Sequence, residues 1–452
     1  MTDSVLIIGS GIAGLSAAQR VAESGANAIV VERQPIIGGK LAATMTGSKA
    51  IGDRAEGESV PLFEALAGND KIEIMTNATL DSIDGRAGNF SVSIRERARF
   101  VTDDCTRCKL CHGVCPVVRP NEFDAGLTFR KAIFTPMLTT WPEAWVIDID
   151  SCLNTPPNYL PCNRCVEVCA DKAIHFDQAL TKVHQRHVGA VILAPGMQIQ
   201  SGENFRDLGY GAHPDIVTSA EMQRLLESPG PTGGYASRPS NEEYPESVLL
   251  VLDDPSPFGL YIIASQAKQL LDQDIETVAV LVLSQPANAE AAQSLTDATG
   301  IEVHWGAAFA VDPQDNTIAV SYEDFAEKKL VRREFEMIVL CVDVAPPDQL
   351  QSLANTTGVQ TDNDGYLVAT GSNGCRFESS QTGIFVAGCG SGPKNIRASI
   401  AEAGAAAEAA VKLLNPIVLD AETSQPAETP AAVPDDAMRT QIEKLLLALV
   451  NQ

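Results

Sequence analysis

The sequence predicts an α/β protein built from two Rossmann-like halves and interrupted by a small α+β domain. Three observations support this fold class. A strand, a glycine-rich turn and a helix open the chain at residues 4–32, and a second strand–turn–helix follows at 247–272. Between them, eight of the 11 cysteines fall in the segment from Cys105 to Cys169. A chain of 452 residues has room for two or three domains of this kind.

Composition and charge exclude several classes of partner. Hydrophobic residues make up 45% and charged residues 20% of the chain, as in ordinary globular proteins. The formal net charge of -25 disfavours binding to nucleic acid or to an anionic membrane. No secretory signal pattern is visible, and the longest apolar runs are much shorter than a membrane span. We therefore expect a cytoplasmic protein, with association at the cytoplasmic face of a membrane complex left open.

The first strand–turn–helix carries a dinucleotide-binding motif. Gly9, Gly11 and Gly14 form G-x-G-x-x-G, and Glu32 ends the next strand 18 residues after the last glycine. The first glycine permits a tight turn, the second lets the backbone approach a pyrophosphate, and the third lets the helix pack closely on the strand. Glu32 would accept hydrogen bonds from a ribose hydroxyl. The alternative is a helix that only packs tightly on a strand, and the register of strand, helix and acid argues against it.

Three further segments resemble the two-dinucleotide-binding-domain flavoproteins, which bind FAD at this first site. They are the Gly38-Gly39 pair, residues 188–196 and residues 382–410, although Pro195 stands where that family usually has Thr. The last segment resembles the strand, turn and helix that close an FAD site over the flavin. The candidate cofactor-binding residues are Gly9, Gly11, Ala13, Gly14, Glu32, Arg33, Gly38, Gly39, Lys40, Ala194, Gly196, Gly388, Cys389 and Ile396.

The second strand–turn–helix lacks the features that bind a pyrophosphate. Its turn has the sequence DDPSPFG from Asp253 to Gly259, so one glycine remains and two carboxylates stand where neutral N–H groups are needed. The two prolines remove two further N–H donors. The sequence therefore predicts a degenerate Rossmann-like domain that has lost NAD(P)H binding.

The first four clustered cysteines follow the bacterial ferredoxin pattern C-x2-C-x2-C-x3-C-P, from Cys105 to Pro116. In two-cluster ferredoxins the fourth cysteine of a motif ligates the other cluster, so the motif predicts a second set. The crossed assignment gives one [4Fe-4S] cluster Cys105, Cys108, Cys111 and Cys169. It gives the other cluster Cys152, Cys162, Cys165 and Cys115. Structural zinc is the alternative, but its four ligands usually come as separated pairs.

The second cysteine motif is irregular. Nine residues separate Cys152 from Cys162 where two are usual, and Ala170 replaces the usual proline. The intervening LNTPPNYLP is turn-like, so we expect it to bulge outward while Cys152 still reaches the iron. Of the other cysteines, Cys341 is predicted to be a core residue, Cys375 indicates little, and Cys389 is expected near FAD.

At residues 116–136 the chain resembles the A-type subunit of heterodisulfide reductase and the A-type subunit of the quinone-interacting oxidoreductase of sulfate reducers. The resemblance returns at 218–240 and 383–396 and covers most of residues 1–414. It implies an FAD protein with a ferredoxin-like insertion, working in a complex that passes electrons among flavin, clusters and partner subunits. Lys131, which follows the first cysteine motif, is a candidate catalytic residue that could place a positive charge near a reduced flavin. The alternative for Lys131 is an ordinary exposed lysine.

The chain also departs from that family. Residues 41–65 and 260–269 contain no cysteine, although many members have one in each region. We therefore expect the additional cluster of those family members to be absent. Its absence weakens the case for electron bifurcation and favours the shorter members of the family, the quinone-linked subunit or a sulfur-oxidation variant. Two other functions compete with an electron-transfer role in a complex. One is a self-contained NAD(P)H-dependent reductase, like the small subunit of glutamate synthase, and the other is a non-redox scaffold.

Domain boundaries follow from these motifs. We predict FAD-binding parts at 1–98, 179–240 and 366–415, a ferredoxin-like insertion at 99–178, a degenerate NAD(P)-type domain at 241–365, and a linker with an amphipathic helix at 416–452. That helix has an apolar stripe, which we expect to dock on a partner subunit or a second copy. Packing on the chain's own surface is the alternative. The stripe consists of Ile442, Leu445, Leu446 and Leu449.

Overall fold

The computed structural model describes residues 3–40, 66, 68–136, 141–228, 230–253, 255–285, 301–371 and 376–414. Tertiary contacts divide them into two compact units. The first contains the described residues up to Gln198 and those from Pro346 onward, and the second is Ile199–Ala345. The predicted linker and C-terminal helix lie outside the described residues, as do residues 41–65, Asp254 and Cys375.

The described chain contains both strands and helices, with several runs of consecutive strands. The strands are β1 (Ser4–Ile8), β2 (Asn27–Val31), β3 (Ile72–Met75), β4 (Ala78–Arg86), β5 (Asn89–Arg97), β6 (Arg119–Pro120), β7 (Phe129–Arg130), β8 (Ile133–Phe134), β9 (Val146–Ile147), β10 (Thr181–Val188), β11 (Ala190–Leu193), β12 (Gln198–Ile199), β13 (Ile216–Thr218), β14 (Ser247–Leu252), β15 (Thr277–Val282), β16 (Glu302–Pro313), β17 (Ile318–Asp324), β18 (Lys329–Phe335), β19 (Met337–Cys341), β20 (Val344–Ala345) and β21 (Ile384–Val386). The helices are α1 (Ile12–Glu23), α2 (Leu110–Val114), α3 (Arg164–Val168), α4 (Ser219–Leu225), α5 (Pro257–Leu271), α6 (Leu350–Thr357) and α7 (Ile396–Leu414).

A five-stranded parallel sheet forms the centre of the first unit, in the order β3-β2-β1-β11-β21. β1 and β11 are short apolar runs, as expected for parallel strands covered on both faces. Helices α1 and α7 pack on one face through buried faces that are rich in alanine. Small side chains let these helices approach closely. The parallel order brings the carboxyl ends of β1, β11 and β21 to one edge of the sheet.

Within the first unit, the insertion begins after β5 and ends before β10. These two strands form an antiparallel three-stranded sheet with β4. The insertion contains two short hairpins, β6–β7 and β8–β9, and the short helices α2 and α3. Val101 and Ile174 pair in an antiparallel bridge that closes its base. Its small apolar core includes cysteines as well as aliphatic and aromatic side chains. A small α+β insertion is therefore present where the sequence predicts one.

The second unit contains a seven-stranded sheet in the order β13-β19-β14-β15-β16-β17-β18. The pairs from β13 to β16 are parallel, and β16, β17 and β18 continue as an antiparallel meander. Helix α5 connects β14 to β15, which gives the strand–helix–strand unit expected of a Rossmann-like half. In the part of the chain that the structure describes, no helix is both long and apolar enough to cross a membrane.

The boundaries of the second unit differ from the sequence-based ones. The chain enters it after Gln198 and leaves it at Ala345, whereas the sequence predicts 241–365. The reason is strand pairing: β13 lies parallel to β19, so the segment before residue 241 joins the second sheet. Helix α6 instead packs with the first unit, through Leu350 and Ala354.

Candidate functional site

The glycine-rich turn between β1 and α1 leaves no room for a side chain at two of its three positions. Gly9 has a φ of +102°, and a Cβ there would lie 2.1 Å from the carbonyl oxygen of Ala194. A Cβ on Gly14 would lie 1.9 Å from the Gly9 oxygen. A Cβ on Gly11, by contrast, would meet nothing within 4 Å. The space beside Gly11 is where this motif requires the backbone to approach a pyrophosphate.

Helix α1 presents its first backbone N–H groups at this turn. Gly11 is the N-cap, no side chain caps the helix, and the first turn contains no acidic residue. Uncapped N–H groups together with the helix dipole make such an end favourable for an anionic group. The turn therefore combines open space at Gly11 with donors suited to a phosphate.

Glu32 follows β2 at the same edge of the sheet and is 7% exposed. One of its carboxylate oxygens accepts hydrogen bonds from the Ser10 N–H at 2.8 Å and from the Ser10 hydroxyl at 2.7 Å. The other accepts one from the Gln34 N–H at 2.8 Å. Because each carboxylate oxygen can accept two hydrogen bonds, the second oxygen can still accept from a sugar hydroxyl.

The remaining cofactor-binding candidates lie on loops that pack against this turn. A Cβ on Gly39 would lie 2.9 Å from the Gly11 Cα, and the Gly38 N–H donates to the Ser10 carbonyl at 2.9 Å. Gly388 has a φ of +66°, and a Cβ there would lie 2.7 Å from the Cβ of Ala13. These contacts bring the loops after β1 and β21, together with residues 38–39, to one place.

The loop before α7 is held by an ion pair. The Lys394 ammonium contacts the Glu402 carboxylate at 2.7 Å and the Ser391 hydroxyl at 2.9 Å. Cys389 lies in this loop, with its Sγ 3.5 Å from the Lys394 carbonyl oxygen. Two other candidates lie at element ends: Ile396 begins α7, and Gly196 follows β11. The Arg33 guanidinium donates to the side-chain oxygen of Gln349, and the Lys40 side chain is exposed.

In the insertion, cysteines from both motifs line one cavity, the first thiol cavity. Its cysteines are Cys105, Cys108, Cys111 and Cys169. The loop through Cys108 turns at two left-handed residues, Arg107 with φ +55° and Lys109 with φ +67°. On the other side, the Ala173 N–H donates to the Cys169 Sγ at 3.4 Å. The structure thus places the last cysteine of the second motif with the first three of the first motif.

The other four clustered cysteines line a second cavity, the second thiol cavity. They are Cys115, Cys152, Cys162 and Cys165. The nine-residue segment after Cys152 folds back on itself, since the Leu160 N–H donates to the Leu153 carbonyl at 2.7 Å. The Asn158 side chain donates to the Cys152 carbonyl at 2.9 Å. The extra residues therefore form an outward loop, with Tyr159 69% exposed, and do not displace Cys152 from the second thiol cavity.

The two cavities are related by an internal repeat. Helices α2 and α3 each contain a buried cysteine, Cys111 and Cys165. Each helix then ends at a cysteine in extended conformation, Cys115 and Cys169, which lines the opposite cavity. Within the described residues, no group of three or more His, Cys, Asp or Glu side chains is spaced for a single metal ion. The thiols are instead distributed around the cavity walls.

The glycine motif and the whole chain match known proteins. Residues 7–49 match the family of NAD(P)-binding Rossmann-like domains. The A-type iron-sulfur subunit of CoB–CoM heterodisulfide reductase from Methanocaldococcus jannaschii is 29% identical over 90% of this chain and 63% of its own length. A Methanopyrus kandleri protein of the same description is 31% identical, over 92% of this chain and 65% of its own. The chain is thus similar in sequence to A-type subunits of heterodisulfide reductases.

The chain spans slightly less than two thirds of the length of the curated proteins that it matches. Its fold is also similar to thioredoxin reductase from Lactococcus lactis, with a TM-score of 0.50, 15% identity, and coverage of 92% of this chain and 99% of the other. That likeness concerns the fold alone. With the two Rossmann-like sheets, it confirms the predicted class of two dinucleotide-binding domains carrying an insertion.

Burial makes several of the clustered thiols hard to ionise without a cation nearby. Burial raises the pKa of Cys111 to about 11, although a backbone N–H of His112 works against it. Burial likewise raises the pKa of Cys165 to about 12, and neighbouring thiols add to the effect. Iron supplies the positive charge that stabilises coordinated thiolates. The two sites therefore favour a positively charged metal group over free thiolates.

Lys131 lies in the insertion, between β7 and β8. Its neighbours Ala132 and Ile133 line the thiol cavities. Burial, followed by the positive charges of Lys131 and Lys109, lowers the pKa of His112. The charge of Lys131 thus acts on the first thiol loop. Its predicted role beside the flavin remains a prediction.

Two side chains of the insertion, half-buried Arg99 and buried Trp145, have no signal in the sequence. Arg99 donates to the Pro35 carbonyl at 2.5 Å and to the Ala144 carbonyl at 2.7 Å, so it ties residues 141–145 to the loop after Glu32. Burial lowers the pKa of Arg99 to about 10. Trp145, the next residue after Ala144, lines the first thiol cavity. Neither residue belongs to a motif, and only the tertiary contacts reveal them.

Proposed function

We propose that this chain is an electron-transferring subunit that binds FAD and two [4Fe-4S] clusters. FAD is held at the glycine-rich turn of α1, and each cluster is held in one thiol cavity. The chain then passes electrons between the flavin, the clusters and partner subunits of a heterodisulfide-reductase-like or quinone-linked complex. The partner subunits and the number and type of clusters are part of this proposal, as is the choice of FAD.

The observation that carries the proposal is the composition of the two cavities. Cys115 lies in the first motif but lines the second cavity, and Cys169 lies in the second motif but lines the first. Exchange of the fourth cysteine is a property of two-cluster ferredoxins. Structural zinc sites have no need of it, because their four ligands gather around one ion. Eight thiols sorted into two crossed sets of four therefore support two cubane clusters.

The residues of the first unit support a bound dinucleotide. The N–H groups at the start of α1 can bind the pyrophosphate, and Glu32 can hold a ribose hydroxyl. Gly39 and Gly388 bring the neighbouring loops against the turn. When bound, the flavin exchanges two electrons with one partner and single electrons with another, while the clusters carry single electrons.

The insertion supports electron transfer by holding both clusters in one rigid core. Arg130 is 5% exposed and pairs with Asp148 at 3.0 Å and with Glu122, joining hairpin β6–β7 to the turn after β9. Burial raises the pKa of Asp148, but hydrogen bonds from Ser151 and Arg130 outweigh burial and lower it overall. This network fixes the loop that leads to Cys152.

A self-contained NAD(P)H-dependent reductase is not favoured. Such an enzyme needs a working phosphate site in the second unit, where the start of α5 is capped by Ser256 and carries Pro257. The curated relatives are described as reductase subunits, which favours a chain that works with partners. We propose those partners to be other subunits of a redox complex, at the cytoplasmic side of the membrane. A second copy of this chain is a further candidate.

The crossed ligand sets give a sharp test. The protein is purified without oxygen, and about eight irons per chain are expected for two cubanes. Cys115→Ser and Cys165→Ser are then compared by electron paramagnetic resonance of the reduced clusters. Although they belong to different motifs, both should alter the same signal. Cys169→Ser should alter the other signal, together with Cys111→Ser.

Cys341→Ser is the matched control, because Cys341 is buried in β19 of the second unit. It should leave iron content and both signals unchanged. If Cys115→Ser and Cys111→Ser disturb the same signal and leave the other intact, the ligand sets are not crossed. Iron near four atoms per chain, unchanged by Cys152→Ser, would show that the second cavity holds no cluster.

A further inference from the structure

The two thiol cavities differ in the side chains that line them besides cysteine. The first is lined in part by Trp145, and the second has aliphatic side chains in the corresponding places, together with Arg164 and Pro116. An indole N–H is a hydrogen-bond donor and cannot accept. The two clusters of the proposed function would therefore have different surroundings.

Trp145 is 4% exposed, and its indole N–H is buried without a hydrogen-bond partner. A buried donor left without an acceptor costs about 1–3 kcal/mol. Trp305 in the second unit also has an unpartnered buried N–H, so this feature alone does not define a site. What distinguishes Trp145 is its position on the wall of a cavity that four thiols share.

The backbone around Trp145 is held on both sides. The carbonyl of Ala144 accepts from the Arg99 guanidinium at 2.7 Å, and the Ile147 N–H donates to the Arg99 carbonyl at 3.1 Å. The Trp145 ring also meets the ring of His112 edge-on, with centroids 5.6 Å apart. The indole is thus fixed against the first thiol loop by contacts that do not use its N–H group.

We propose that the Trp145 indole N–H donates a hydrogen bond to a sulfur of the cluster in the first thiol cavity and raises the reduction potential of that cluster. This inference rests on the proposed function, since it requires a cluster bound by Cys105, Cys108, Cys111 and Cys169. A hydrogen bond to sulfur stabilises the more negative, reduced form of a cluster. The second cluster has no tryptophan in its cavity wall among the described residues.

The test compares Trp145→Phe with the unchanged protein in an anaerobic redox titration followed by electron paramagnetic resonance. Phe keeps an aromatic ring and removes the N–H. We expect the one-electron reduction constant of one cluster to fall about tenfold, which is about 59 mV for a one-electron couple. The other cluster should keep its potential. Equal potentials in both proteins would overturn the inference while leaving the proposed function intact.

A second measurement needs no variant of the cluster site. The full-length protein is labelled with ¹⁵N at the indole nitrogens of its three tryptophans, and the reduced clusters are studied by pulsed electron paramagnetic resonance. A ¹⁵N coupling on one cluster is expected, and it should persist in Trp305→Phe, the matched control. Absence of any coupling in a protein with both clusters would overturn the inference. Absence of the clusters themselves would overturn the proposed function.

Discussion

The two strand–turn–helix units of this chain share a topology and differ at one turn. In the first, α1 begins at Gly11 without a capping side chain, and a Cβ at Gly11 would meet nothing within 4 Å. In the second, Ser256 caps α5 by accepting from the Gly259 N–H at 3.1 Å, and Pro257 occupies the first turn. One helix presents free donors at its start, and the other has engaged or lost them.

This difference shows that the fold and the phosphate site are separable. The second unit keeps the parallel pairing of β14 with β15 and the connecting helix, because these depend on buried aliphatic side chains. A phosphate site depends on a few uncapped N–H groups and on space beside them. The second unit thus keeps the sheet and the helix although its turn lacks the glycine motif.

The largest effect is expected at Gly11. Gly11→Val should lower FAD affinity at least about 100-fold, roughly 2.7 kcal/mol, because the new side chain fills the pyrophosphate space. Flavin content after gel filtration measures it. Gly404→Val is the matched control, since a Cβ there also meets nothing within 4 Å. Full flavin occupancy in the Gly11 variant would place the cofactor elsewhere.

A smaller effect is expected at Glu32. Glu32→Gln should weaken FAD binding about tenfold, about 1.4 kcal/mol, because a neutral amide replaces a charged acceptor for the ribose hydroxyl. Titration of the apoprotein with FAD measures it. Glu73→Gln changes a glutamate of the same sheet that pairs with Arg186 and should leave affinity unchanged. Equal affinities in the two variants would contradict the role of Glu32.

At the second turn the expected effect is one of stability. Ser256→Ala removes the helix cap and should destabilise α5 by about 1 kcal/mol. Hydrogen exchange of the amides in α5 should then become about fivefold faster. Ser256→Asp retains a capping side chain and should preserve the exchange rates. Unchanged exchange rates in Ser256→Ala would mean that the cap does not stabilise α5. Loss of flavin from this variant would contradict the inference that the second turn takes no part in cofactor binding.

The smallest effect is expected from nicotinamide nucleotides. NADH and NADPH should not reduce the flavin of the isolated chain faster than buffer does, because the second turn offers no phosphate site. Stopped-flow absorbance measures this, with dithionite as the positive control. Rapid flavin reduction at micromolar NADH would show that the second turn also binds a dinucleotide, and would favour the self-contained reductase.

The local motifs of this protein can be recognised without a structure. These motifs are defined by residue types at short spacings along the chain. They are the glycine motif, the acid at Glu32 and the order of the eight cysteines. The two Rossmann-like halves and the insertion follow from the same local patterns. The fold class was therefore predictable, and the placement of Cys152 despite its irregular gap could be proposed from the turn-like insert.

Contacts between residues far apart in sequence became visible only in the folded chain. The second unit begins after Gln198 because β13 pairs with β19, a pairing of residues more than 100 positions apart. Arg99 reaches carbonyls of two distant segments, and Trp145 lies on the wall of the first thiol cavity. No local pattern specifies these contacts, since burial and hydrogen bonding are set by whichever segments the completed fold brings together.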